Sequence, residues 1–135
     1  MSETKTIKVR RPDGVIEECS VEIVQDPQWK LIFSGVGLQG REFVNGDIFD
    51  AFISLRTALE TIGVQVLCAG ARPNVFPSGM SRDMGGGRKA YITRLGSPAL
   101  RADLVDIFDY SDAQSVGSVS DQQAFHEKWA ASLRK

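Results

Sequence analysis

Residues 29–63 read WKLIFSGVGLQGREFVNGDIFDAFISLRTALETIG, and how this run divides decides between two folds. Gly35-Val36-Gly37-Leu38-Gln39-Gly40 matches the G-x-G-x-x-G dinucleotide fingerprint. It follows Trp29, Leu31 and Phe33, which alternate with Lys30, Ile32 and Ser34 as a strand does. A working fingerprint would make this a parallel α/β protein, because its glycines bring the backbone up to a pyrophosphate seated on a helix that starts inside the motif. Here Arg41 to Val44 and the breaker Asn45-Gly46 come between the glycines and the next helical pattern. The strand expected after that helix ends in Cys68-Ala69, without the acid that would hold a ribose. The glycines are therefore read as a turn or bulge between antiparallel strands, and no cofactor is expected.

Beyond Asn45-Gly46-Asp47, the residues Ile48, Phe52, Leu55, Leu59 and Ile62 recur at helical steps. Asp47 and Asp50 suit the positive end of that helix, and Gly63 stands where a left-handed C-terminal residue is wanted. Upstream, residues 5–10 alternate polar with β-branched apolar side chains, and Pro12-Asp13-Gly14 supplies a reversal. Cys19, Val21 and Ile23 then share one face of a strand that Asp26-Pro27 breaks. Val64 to Cys68 reads as a buried strand reached by a crossover, and Lys89 to Leu95 as another strand. Within Ser97 to Tyr110 we expect a short helical turn followed by a strand. A second long helix is expected to open at Ser120, with Gln123 completing the cap, Val119 stapling against Ala124, and Phe125, Trp129 and Leu133 facing the core. The expectation is one α+β domain over residues 1–135, a mostly antiparallel β-sheet packed against two main α-helices.

The 135 residues suffice for one core, and 42% hydrophobic with 24% charged residues is ordinary for a globular domain. No run approaches a membrane span, and Ser2-Glu3-Thr4-Lys5 is too polar for a signal peptide, so a cytoplasmic location is expected. Cys19 and Cys68 are read as buried free thiols, although a cation beside Cys68 would lower its pKa. With a net charge of −1 the chain lacks the basic excess of a general nucleic-acid binder. Its charge is nonetheless polarised. From Ala69 to Arg101 six arginines and lysines face one acid, whereas from Ala102 to Glu127 six acids meet no Lys or Arg.

The segment 69–88, AGARPNVFPSGMSRDMGGGR, is about twenty residues without sustained periodicity, and such loops in small domains are usually functional. Val75, Phe76, Met80 and Met84 suggest that it folds back onto the domain. Arg72, Arg82 and Arg88, with Asp83 and the backbone amides of Gly85, Gly86 and Gly87, are then the candidate binding residues for an anionic small molecule or a protein partner. The competing reading pairs the arginines with Asp103, Asp106 or Asp109. His126 is the only histidine and has no companions at metal-ligand spacing. A triad of Ser78 or Ser81 with Asp83 and His126 lacks the G-x-S-x-G context, so a surface or helix-packing histidine is preferred.

The run LCAGARPNVFPSGMSRDMGGGRKAY (67–91), followed by DLVDIFDY (103–110), resembles small bacterial single-domain proteins without an assigned activity. That resemblance implies no cofactor and no catalytic residue. Three functional classes follow from the residues themselves. The first is a non-enzymatic binding module using loop 69–88, in which a homo-oligomer could form through an exposed strand edge. A toxin-neutralising protein whose acidic run covers a basic partner is a variant of it. The alternative is a small enzyme acting on a phosphate- or carboxylate-bearing substrate, with Asp83, Cys68 or His126 moving a proton or acting as nucleophile.

Overall fold

The computed structural model describes residues 2–25 and 27–134. Strands β1 (Ser2–Arg10), β2 (Ile16–Gln25), β3 (Trp29–Gly35) and β4 (Leu38–Asn45) form an antiparallel meander. Asp26, which we read as part of a strand break, lies outside the described residues. Helix α1 (Ile48–Glu60) then crosses the inner face from the β4 edge, and β5 (Gln65–Val66) pairs with β1 at the opposite edge. The resulting order is β4-β3-β2-β1-β5. Period-two burial follows: Ile7, Val9, Cys19, Val21, Ile23, Leu31 and Phe33 are buried against Ile48, Phe52, Leu55 and Leu59 of the helix. Asp47 caps α1 by accepting from the Asp50 N–H at 2.7 Å, and Gly63 closes its far end at φ +74°.

The fingerprint glycines have a local explanation. Gly35 and Leu38 pair across a two-residue turn in which Val36 and Gly37 both take positive φ, +46° and +83°. A side chain on Gly35 would put its Cβ 2.2 Å from the Cys19 Sγ, so glycine is required there by close approach of the strands. The motif is the turn between two antiparallel strands, as its spacing from the helix predicted.

Past β5 the chain builds a second, smaller layer. A 3-10 turn (Ala69–Ala71), β6 (Val75–Phe76), α2 (Gly79–Gly85), β7 (Lys89–Ile92), a second 3-10 turn (Arg101–Asp103) and β8 (Leu104–Asp106) follow in order, with β6-β7-β8 forming an antiparallel sheet. The helical turn and strand expected within Ser97 to Tyr110 are both present. The stretch 69–88 differs from the aperiodic loop we expected: it holds a 3-10 turn, a two-residue strand and a seven-residue helix, each too short to leave a period in the sequence. Helix α3 (Val119–Ser132) closes the chain.

Two expectations for α3 are corrected. Its N-cap is Ser118, in a reciprocal box with Asp121, so the helix starts before Ser120. Its fully buried residue is Gln122, whereas Phe125 and Trp129 are half-buried and Leu133 is exposed. The protein is thus α+β with antiparallel sheets, as expected, but it has two sheets, and its second long helix is seated mainly by a polar anchor. No helix among the described residues is long and apolar enough to cross a membrane.

Candidate binding face and cleft

The three candidate arginines do not converge. Arg88 ties the two layers together, its Nε 3.0 Å from Asp106 on β8 and its Nη1 2.5 Å from Glu3 on β1. These carboxylates push its pKa up, Glu3 most, and Arg88 in turn holds the Glu3 carboxyl below its usual value. Arg82 reaches backward from α2 to the start of α1, with Nη1 2.8 Å from Asp47 and 3.3 Å from Asp50, and its guanidinium lies 5.1 Å from the Phe49 ring and 5.5 Å from that of Phe76. Arg72 is half-buried in the turn before β6, and its Nε is buried without a hydrogen-bond partner. The pairing alternative therefore holds for Arg88 with Asp106. Arg82 pairs too, but with acids that precede it by more than thirty residues.

Gly86 and Gly87 are also structural. Gly86 ends α2 at φ +69°, and its amide and that of Gly87 bond back to the carbonyls of Arg82 and Ser81. The Gly86 carbonyl accepts from the N–H groups of Ile48 and Phe49 at 2.7 and 3.1 Å, satisfying the open first turn of α1. A Cβ on Gly86 would lie 2.9 Å from the Trp29 ring, and one on Gly87 2.9 Å from Phe49 Cβ. These two amides are thus spent inside the fold, and the anion cradle expected of them is not formed. Gly85 and Asp83 are exposed on the outer side.

The segment folds back onto the domain through Val75 and Phe76, but with its back fixed in this way α2 turns Met80 and Met84 outward, 71% and 82% exposed. They line a groove of about 340 Å³ with Tyr91, Leu104, Lys89 and Arg101. Next to it, sharing Ser78 and Tyr91, is a cleft of about 560 Å³ between α2, β7 and α3. The His126 ring stacks on Phe76 with centroids 3.6 Å apart and planes 10° apart, and Trp129 continues the stack at 5.9 Å and 28°. The Trp129 indole is fixed by donating Nε1–H to the Ser97 carbonyl at 2.9 Å. Burial, and then the Arg82 charge, lower the His126 pKa, so the imidazole is neutral at pH 7. Its Nδ1 is buried without a partner.

A second polar centre was missed. Arg56 on α1 is 2% exposed and donates to the carbonyls of Gly70 and Gly117 and to Gln122 Oε1, the last at 2.6 Å. The Gln122 amide donates in turn to the carbonyls of Gly70, Arg72 and Val75. Burial lowers the Arg56 pKa to about 10, which still leaves it charged, and Glu60 nearby partly opposes the shift. Position 56 lies on the same side of α1 as Phe52 and Leu59, so an arginine inside an apolar stripe was the available signal.

Cys19 and Cys68 are buried free thiols, as the sequence implied. Burial pushes Cys68 up to about 12 against the opposing Arg56 charge, so the lowered thiol pKa considered for it is reversed. Of the acidic run 102–127, Asp103 pairs with Arg94 and Asp106 with Arg88, while Asp109, Asp112 and Glu127 remain exposed. Among the described residues, no three His, Cys, Asp or Glu side chains group as metal ligands would. Neither models of known protein families nor curated proteins match this chain, so the functional argument rests on geometry.

Proposed function

We propose that the protein is a non-enzymatic binding module that docks a protein partner on the outer face of α2 and the groove beside it. The observation that carries this is the exposure of Met80 and Met84, one helical turn apart, on a helix whose opposite side is locked by Arg82 and Gly86. Methionine is flexible and polarisable, which suits it to adaptable contact surfaces, and a helix already held rigid loses little entropy when a partner settles on it. Lys89 and Arg101 on the rim favour a partner that surrounds its apolar anchors with carboxylates. Toxin neutralisation is one form that such docking takes.

The enzyme alternative receives less support. It needs a nucleophile or base in the same cavity as a substrate-holding arginine. The cleft that contains Arg82 also holds His126 and Ser78, but its lining among the described residues offers no Asp or Glu to orient the imidazole, Asp83 is exposed outside it, and Cys68 is buried elsewhere in its protonated form.

The test compares immobilised wild type with the double variant M80E/M84E, and with Ala131→Glu on the exposed side of α3 as control, for retention of proteins from a lysate of the source cells. A protein held by wild type and by the control but released by M80E/M84E is the expected result. Identical retention by all three would remove α2 as the docking face.

A further inference from the structure

The cleft between α2, β7 and α3 adjoins the partner face just described, with Ser78 and Tyr91 lining both, but Met80 and Met84 lie outside it, and its contents point to a small ligand. It measures about 560 Å³, within the range of small-molecule sites. Three planar rings, Phe76, His126 and Trp129, stand in one continuous stack, and Trp129 is half-exposed at the end of it. Tyr91 of β7 lines the same space. Arg82 is the one fully charged side chain among the described residues lining the cleft, since His126 is neutral at pH 7. Its guanidinium is held in place through Nη1 by Asp47 and Asp50, and among the described residues no hydrogen bond engages its Nε or Nη2. The guanidinium lies over Phe76, at the inner end of the stack, so a flat ring against Trp129 whose carboxylate extends along the cleft toward the free edge of this fork is complementary to the lining.

We propose that this cleft is a binding site for a planar aromatic carboxylic acid, the ring lying against Trp129 and the carboxylate meeting the free edge of Arg82. Asp47 and Asp50 already share the guanidinium charge, so the attraction is moderated and the ring contributes much of the affinity. A ligand of about a dozen heavy atoms then binds with a Kd of about 0.1 to 1 mM.

An NMR titration with 2-naphthoate tests this, because the indole N–H signals of Trp129 and Trp29 report on different places: Trp29 lines a separate cavity beside Arg88 and Glu3. The expected result is a saturable shift of the Trp129 signal with Trp29 unmoved, and at least tenfold weaker binding of the uncharged 2-naphthylmethanol. Arg82→Gln should reduce naphthoate to the affinity of the alcohol. Ala99→Trp, which fills the cleft from a half-buried position away from the core, should abolish binding of both. Absence of saturation, equal affinity for acid and alcohol, or a shift confined to Trp29 each overturns the proposal. The M80E/M84E variant should bind naphthoate as wild type does, so this site and the partner face fail or stand separately.

Discussion

The five-stranded sheet with α1 and the segment from Leu67 to Gly117 are stabilised by different physics. In the first, alternate side chains of β1, β2 and β3 meet a helix stripe, and the stabilisation is that of burying apolar surface, about 25 cal/mol for each Å² removed from water. The second adds Cys68, Val75, Ala90, Ile107 and Phe108 to that core, but its outer elements α2 and β8 have no buried residue and are held by caps and ion pairs, while the Arg56–Gln122 network anchors the turn at Gly70. Apolar packing is redundant, because many contacts share the load. A polar lattice depends on each member having its partner. Because α2 is fixed from behind by polar contacts, its apolar side chains are left over for the surface, which is why the smaller layer carries the candidate binding face.

Removing packing or removing a polar partner should therefore break different parts of the molecule. Phe52→Ala, at a fully buried position between sheet and second layer, is expected to cost ~3 to 5 kcal/mol and to be visible as a large loss of Tm in a thermal melt. Gln122→Leu keeps the volume but deprives Arg56 of one acceptor and the carbonyls of Gly70, Arg72 and Val75 of a donor. Its expected cost is about 3 kcal/mol by chemical denaturation, with the amides of residues 67–77 exchanging faster than those of β1 to β3. Equal loss of protection in both regions would show that the two are not separately stabilised. Gly86→Ala must place a side chain at φ +69° and 2.9 Å from the Trp29 ring, for about 2 kcal/mol.

Acid provides a finer probe of the α3 side. Because burial disfavours the charged His126 imidazole in the fold, the unfolded chain takes up the proton first. The stability that His126 contributes as a neutral ring is complete above its ordinary pKa of 6.5 and is lost as the pH falls below it, until the lowered folded pKa is passed. His126→Phe retains a ring against Phe76, so the stability difference between it and wild type should widen in favour of the variant on acidification. A difference that stays constant between pH 7.5 and 5 would show that His126 is not shielded.

The division between the two regions also explains what could be read from the sequence. Period-two alternation and the steps from Ile48 to Leu59 are the direct imprint of burial on one face, so the meander and α1 were legible, as was the place of Gly35 to Gly40 at a turn between strands. In the second layer the strand at Lys89 and the turn and strand within 97–110 were legible, whereas the short elements of 69–88 leave no such imprint. Gly86 and Gly87 look like an anion cradle until the N-terminus of α1 is seen to use the Gly86 carbonyl, and that contact joins residues nearly forty positions apart. Arg82 finds Asp47, and Arg88 finds Glu3, across similar or larger separations, whereas the pairings of Arg88 with Asp106 and of Arg94 with Asp103 lie between neighbouring segments. The segment folds back onto the domain as its apolar residues suggest, but through Val75 and Phe76, while Met80 and Met84 on α2 face solvent.

Helix α2 is held by its inner contacts, through Arg82 and Gly86, which leaves its methionine face spare. The thermal and denaturant stability of M80E/M84E tests this most directly. If Met80 and Met84 serve only an external partner, two charges placed there leave the unfolding free energy within ~0.5 kcal/mol of wild type, as for substitutions at exposed positions away from special contacts. A loss of about 2 kcal/mol or more would mean that the methionines pack within the fold, contradicting the assignment of this face to a partner.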